Sequence, residues 1–167
     1  TSWQRSSAHT VAEGTEVYPT TVEEVFDFAI AAEVEAARTY RDLAAQVTRQ
    51  GLRALLLAIA DEEEAHRESL EQVREGDLSL FARGAPEIEL SAPLVVPALA
   101  PDASPAQILL AAVDAERRAF VVYSELAAAA GDPGLTTLLE ALAVEETRHW
   151  QKLEQAYNDY IDGSLRG

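Results

Sequence analysis

The chain has 167 residues, of which 48% are hydrophobic and 25% charged, which predicts one globular domain with a core of its own. Its 29 acidic residues outnumber 13 Lys and Arg and give a net charge of -16, which argues against nucleic acid and membranes as partners. The absence of cysteine excludes disulfides, thiolate zinc sites and iron–sulfur clusters, so any metal must be held by oxygen and imidazole ligands.

The two ends of the chain are predicted to lie outside the folded unit. Residues 1–19 form an N-terminal tail that lacks the apolar core of a secretory signal peptide. A single folded domain is expected over residues 20–163, with a C-terminal tail at residues 164–167. The longest apolar stretches are far shorter than the roughly 20 residues of a membrane helix, so we expect a cytoplasmic location.

Two long helices are predicted in the first half of the domain. Thr21 and Glu24 form a capping-box pattern, and apolar residues recur at helical spacing after it, which predicts a first helix over residues 21–50. Gly51 is expected to break this helix. A second amphipathic helix is predicted over residues 52–75.

The next segment, residues 77–103, contains four prolines, which exclude a regular helix through most of it. A helix of about 24 residues is roughly 36 Å long, whereas 27 extended residues reach up to about 90 Å. The segment can therefore return along the full length of a bundle as a crossover. Its apolar residues are expected to pack on the outside: Ile88, Leu90, Leu94, Val95 and Val96.

A second pair of helices is predicted after the crossover. Ser104 is followed by Pro105 and Gln107, a capping-box pattern that predicts a third helix over residues 105–130. An Asp-Pro pair then predicts a fourth helix over residues 133–161. Two short connections and one long one predict an all-α, ferritin-like four-helix bundle, in which two helical hairpins are joined by one long crossover.

The two halves of the chain repeat at an offset of 83 residues without a gap. The repeat aligns Tyr40 with Tyr123 and His66 with His149. It also separates recurring glutamates, which are candidates for function, from isolated ones, which we interpret as surface charges. Two further recurring glutamates have no clear role from the sequence: Glu62 and Glu145.

The recurring residues predict a dinuclear metal site. Helices two and four each carry a glutamate and a histidine three residues apart, which places both side chains on one helix face. One recurring glutamate from each of the other two helices would give four carboxylates, whose charge balances two divalent ions. The alternative is an acidic, solvated helix surface. The candidate metal ligands are Glu33, Glu63, His66, Glu116, Glu146 and His149.

Tyr40 and Tyr123 each follow a candidate ligand glutamate by seven residues, which is two turns along the same helix face. Their hydroxyls could hydrogen-bond a ligand carboxylate and fix its orientation, or supply one electron during oxidation. The alternative for both tyrosines is packing in the core.

These motifs resemble the rubrerythrin branch of the ferritin-like diiron-carboxylate superfamily. The pattern Ala-x-x-x-Glu-x-x-Ala-x-x-x-Tyr-x-x-Leu-Ala occurs at residues 29–44 and 112–127, each followed by Glu-Glu-x-x-His. The resemblance implies that the six candidate ligands bind two iron ions, with manganese possible, and that the centre reacts with hydrogen peroxide or dioxygen. No haem is expected, because the methionine that ligates haem in bacterioferritin is absent.

Two departures from rubrerythrin narrow this expectation. The rubredoxin domain of rubrerythrins is absent with its cysteines, so a separate electron donor, a rubredoxin or a reductase, is implied. Rubrerythrins also usually carry a further glutamate three residues after the third-helix ligand, where this chain has Ala119, with Ala36 as its counterpart. The resemblance therefore does not imply the iron movement associated with that glutamate.

Three functions are compatible with the resemblance. The leading one is reduction of peroxide or reaction with dioxygen, and the alternatives are a ferroxidase or iron-storage protein and a dimanganese catalase. A homo-oligomer, a dimer or larger, is expected. Residues 162–167 also resemble the peptides that load ferritin-like cargo into encapsulin shells, although a helix stop and a short tail are the simpler interpretation.

Overall fold

The structure, a computed structural model, describes residues 19–76, 78 and 99–163. Within these ranges the chain forms four α helices and no strand, as the sequence predicts. They are α1 (Val22–Gln46), α2 (Gln50–Glu75), α3 (Pro105–Ala129) and α4 (Pro133–Ile161). Most of the predicted crossover, including the five apolar residues expected to pack outside, lies outside the described residues, as do residues 1–18 and 164–167.

The helices form two hairpins, since α1 packs along α2 and α3 packs along α4. Each hairpin has a short connection, which keeps its two helices antiparallel and in contact over their length. Among the described helices, none combines the length and the hydropathy that crossing a bilayer requires.

The first connection differs from the prediction, because α1 ends at Gln46 and not near residue 50. Val47 takes an extended conformation and buries its side chain, with 5% exposed, so burial of an apolar side chain outweighs continuation of the helix. Gly51 lies in the first turn of α2 and does not break a helix. The first amide groups of a helix have no partner within it, so a glycine there costs little.

The capping box predicted at the start of α1 is half formed. The Thr21 hydroxyl accepts a hydrogen bond from the Glu24 amide at 3.1 Å, as expected. The Glu24 carboxylate does not return to the Thr21 amide, because Thr20 offers it an amide at 2.7 Å and a hydroxyl at 2.8 Å. By contrast, Ser104 and Gln107 form the complete box at the start of α3.

The apolar core is divided into two clusters, one toward each end of the bundle. One cluster includes Phe26 and Leu139, and the other includes Leu56 and Leu109. The middle of the bundle, between these clusters, is occupied by buried polar side chains. Because both ends are closed by apolar side chains, water has little access to this polar layer from either end.

Candidate metal centre

The structure brings all six predicted ligands together in the middle of the bundle. Each helix contributes a glutamate, and α2 and α4 each add a histidine one turn later. The four glutamates are at most 3% exposed and His149 is fully buried. His66 is the most accessible member, with 16% of its side chain exposed. The candidate set therefore consists of buried carboxylate oxygens and imidazole nitrogens.

The six residues form two overlapping groups, in each of which the ligand atoms lie within 4.8 Å of one another. Both groups contain Glu63 and Glu146. The arrangement thus offers two adjacent metal positions with two shared carboxylates. The first position is completed by Glu33 and His66, and the second by Glu116 and His149.

Both histidines turn the same ring nitrogen toward the carboxylates. Nδ1 of His66 lies 3.2 Å from Oε2 of Glu63 and 3.4 Å from Oε2 of Glu33. Nδ1 of His149 lies 3.0 Å from Oε1 of Glu63. The two rings are stacked with their centroids 5.7 Å apart.

Each buried tyrosine donates a hydrogen bond across the bundle. The Tyr40 hydroxyl binds Oε1 of Glu116, and the Tyr123 hydroxyl binds Oε1 of Glu33. The sequence places each tyrosine near the glutamate of its own helix, but the structure pairs it with the glutamate of the other hairpin. Burial raises the pKa of both hydroxyls well above 10, so both remain protonated and can act as donors.

Glu62, which the sequence left without a role, lies behind His149. Its Oε2 atom is 2.8 Å from Nε2 of His149, and its two oxygens accept hydrogen bonds from Lys152 at 2.8 and 2.9 Å. The pKa of Glu62 is lowered from its ordinary value, because the hydrogen bonds with Lys152 and His149 outweigh the opposite effect of burial. Lys152 is the sequence signal that could have identified Glu62. It lies one turn after His149, and the equivalent position in the first half of the repeat is Ser69.

The metal-free cluster has more carboxylates than it can keep ionised. Burial raises the pKa of Glu33 to about 7 and that of Glu146 well above its ordinary value. Burial also acts on Glu63, but the neighbouring imidazoles of His149 and His66 outweigh it and lower its pKa to about 2. For His66, burial lowers the pKa, but the adjacent carboxyl groups of Glu33 and Glu63 outweigh it and raise the pKa to about 9. In the metal-free state, bound protons therefore compensate the negative charge of the buried carboxylates, as metal ions would in the loaded state.

The residues fit a pair of divalent metal ions. Three buried atoms of the cluster have no hydrogen bond: Oε2 of Glu33, Oε1 of Glu63 and Nδ1 of His149. Buried polar atoms without a partner cost free energy, and a metal ion would use all three as ligands. Oxygen and imidazole ligands without sulfur suit iron or manganese.

A cavity of about 310 Å³ lies between α1 and α3 and reaches the carboxylates Glu33 and Glu116. Neither histidine lines it, so it approaches the cluster from the side of the tyrosines. Its other walls are largely small side chains, among them Ala36 and Ala119. Ala119 occupies the position at which the sequence departs from rubrerythrin, and Ala36 is its counterpart in the repeat, so open space takes the place of the additional carboxylate.

Comparisons with known proteins agree with this architecture. Residues 24–80 match the family model of rubrerythrin. A Thermotoga maritima protein described as a ferritin-like diiron-carboxylate protein is similar in structure, with a TM-score of 0.68 at 20% identity over 84% of this chain and 96% of that one. A hypothetical protein from Pyrococcus furiosus gives a TM-score of 0.63 at 24% identity over 84% of this chain and 90% of that one.

A comparison with the curated proteins found no match to this sequence. The predicted resemblance to rubrerythrin is nevertheless confirmed over residues 24–80, and the predicted ferritin-like four-helix fold is confirmed by the similarity to the Thermotoga maritima structure.

Proposed function

We propose that this protein is a rubrerythrin-like diiron oxidoreductase, which binds two iron ions between its four glutamates and two histidines and reduces hydrogen peroxide or dioxygen. The observation that carries the proposal is the pair of overlapping ligand groups that share Glu63 and Glu146. The description of the Thermotoga maritima structure as a diiron-carboxylate protein supports iron as the metal. Manganese is the alternative, because the same ligand types suit it.

Charge favours two ions over one. Four buried carboxylates carry a formal charge of -4 when ionised, and two neutral imidazoles add none. Without compensation, each buried carboxylate would cost several kcal/mol in lost hydration. Two divalent ions supply a charge of +4, so neutrality is reached without any protons on the ligands.

The protein's own residues would orient the ligands and control access to them. Tyr40 and Tyr123 each hydrogen-bond one oxygen of a glutamate that belongs to a single metal position, which leaves the other oxygen of that glutamate to bind metal. The two apolar clusters exclude water from the ends of the bundle. The cavity between α1 and α3 then provides the route for the oxidant, and at 310 Å³ it is roomy for either peroxide or dioxygen.

Iron bound in this site would supply the two electrons that reduce peroxide to water. The chain has no cysteine and therefore no iron–sulfur centre of its own. Repeated turnover thus needs electrons from a separate donor, for which a rubredoxin or a reductase is the expected class.

A ferroxidase is the second candidate, and one observation favours it. Ala36 and Ala119 leave the cluster with six ligands and an open cavity, a set that resembles the ferroxidase centre of bacterioferritin. In that case ferrous iron would be the substrate and an oligomer would be needed to store the product.

An anaerobic ferrous titration of the metal-free protein, followed by stopped-flow mixing with peroxide or dioxygen, tests the proposal. Two ferrous ions per chain, and near-ultraviolet absorbance that rises much faster with peroxide, are expected for the rubrerythrin-like activity. Faster oxidation by dioxygen with uptake beyond two ions would favour the ferroxidase. A protein that binds no ferrous ion but binds manganese and releases dioxygen from peroxide would be a catalase, and the diiron proposal would be wrong.

A further inference from the structure

The groups that lie behind the two histidines break the symmetry of the site. On one side, Nε2 of His149 faces Oε2 of Glu62 at 2.8 Å. The same carboxylate is fixed by Lys152, the only lysine of the chain, at 2.8 and 2.9 Å. Glu62 comes from α2 and the other two residues from α4, so this contact joins the two hairpins.

The equivalent contact is missing on the other side. Glu145, the counterpart of Glu62, accepts a hydrogen bond from Arg148 on its own helix. In the described ranges, no carboxylate hydrogen-bonds Nε2 of His66. The two halves of the repeat differ at two positions that explain this asymmetry. Arg148 and Lys152 in the second half align with Ala65 and Ser69 in the first, so the first half has neither basic residue.

This difference acts directly on the two imidazoles. A carboxylate that accepts from Nε2 keeps the proton on that nitrogen, leaves Nδ1 free as a ligand and raises its basicity. His149 has this partner and is fully buried, whereas His66 lacks it and is partly exposed. Glu62 therefore holds the ring of His149 with Nδ1 directed toward the ligand carboxylates before any metal binds.

We propose that Glu62, held by Lys152, is a positioning residue that makes the two metal positions unequal. The position formed with Glu116 and His149 binds its divalent ion first and more tightly than the position formed with Glu33 and His66. The inference rests on the proposed function only in requiring that the six residues bind two metal ions.

The ion pair of Glu62 and Lys152 differs from an ordinary surface ion pair, because Glu62 also contacts buried His149. Both side chains are close to half exposed, and an exposed ion pair of this kind contributes little to stability. Its third partner, His149, is completely buried and belongs to the cluster. Removing Glu62 should therefore change metal binding much more than folding.

Anaerobic titration of the metal-free protein with Co²⁺, followed by calorimetry and visible absorbance, tests this proposal. The wild type should bind two ions in two resolved steps. Glu62→Ala should weaken the tighter step by about 10- to 100-fold and change its absorbance. The matched variant Glu145→Ala should leave both steps unchanged, and the thermal unfolding temperatures of the two metal-free variants should be similar.

Further variants identify which metal position Glu62 affects and what Lys152 contributes. In a His66→Ala background the remaining tight step should persist, and Glu62→Ala should weaken it as before. Lys152→Ala should weaken the tight step less than Glu62→Ala, and Lys152→Arg should restore it, because Arg keeps a donor to the carboxylate.

The outcomes separate this inference from the proposed function. A wild type that binds no divalent ion would overturn both. Two ions bound with equal affinity, an unchanged tight step in Glu62→Ala, or an equal loss in Glu145→Ala would overturn the inference alone.

Discussion

Replacing Glu33 by glutamine should stabilise the metal-free protein at alkaline pH. Burial holds the pKa of this carboxyl at about 7, against an ordinary value of 4.5 in the unfolded chain. Folding above pH 7 therefore requires a buried carboxylate to stay ionised. At 1.36 kcal/mol for each pH unit of difference, the cost is roughly 3 kcal/mol. Because the pKa of Glu33 is higher in the folded state, this carboxyl contributes most to stability below pH 4.5, and the contribution is lost as pH rises through 7.

Urea unfolding of the metal-free protein at several pH values measures this effect. The free energy of unfolding of the wild type should fall between pH 4.5 and 8, and Glu33→Gln should remove about 3 kcal/mol of that fall. The two proteins should be similar near pH 4.5, where the wild-type carboxyl is protonated in the folded state. Glu35→Gln is the matched control, because Glu35 is exposed on the same helix and should leave the profile unchanged.

Bound metal should reverse the order of stability of the wild type and Glu33→Gln. With saturating Mn²⁺ the wild type should be the more stable protein, because an amide is a poorer ligand than a carboxylate. Equal pH profiles for the wild type and Glu33→Gln would refute the reasoning that buried carboxylates destabilise the metal-free state.

Three further predictions concern the site. His149→Ala should lower the number of bound ferrous ions from two to one per chain, as measured by anaerobic titration, and retention of two would argue against it as a ligand. Tyr123→Phe removes the donor to buried Glu33 and should lower the free energy of unfolding in urea by about 1–3 kcal/mol. Ala36→Leu with Ala119→Leu should fill the cavity and slow oxidation of the ferrous protein by about tenfold, or about 1.4 kcal/mol in the barrier. An unchanged stopped-flow rate would mean that the oxidant uses another route.

Much of the candidate site could be predicted because its information is local and repeated. A glutamate and a histidine three residues apart share a helix face in any bundle, so Glu63 with His66 needed only helical periodicity. The repeat then selected Glu33 and Glu116 from the many glutamates of the chain. All of these side chains are close together in the structure.

What the sequence did not predict depends on how the hairpins face each other. Helical periodicity places Tyr40 on the face of Glu33, but the partner of its hydroxyl is set by the distance between α1 and α3. Glu62 was ambiguous for the same reason, since its partners are on the other hairpin. The end of α1 was misplaced because burial of Val47 is a tertiary effect that local propensity does not contain.

The connection of both hairpins in one chain has a consequence for how the two metal positions can differ. Each hairpin supplies three candidate ligands of one position and a single glutamate of the other. Two identical hairpins that associated as a symmetric dimer could form the same six-ligand set, but symmetry would copy every substitution into both positions. A single chain is free of that constraint. It can place a lysine at residue 152 and a serine at residue 69, so the two positions of the proposed centre can differ in affinity.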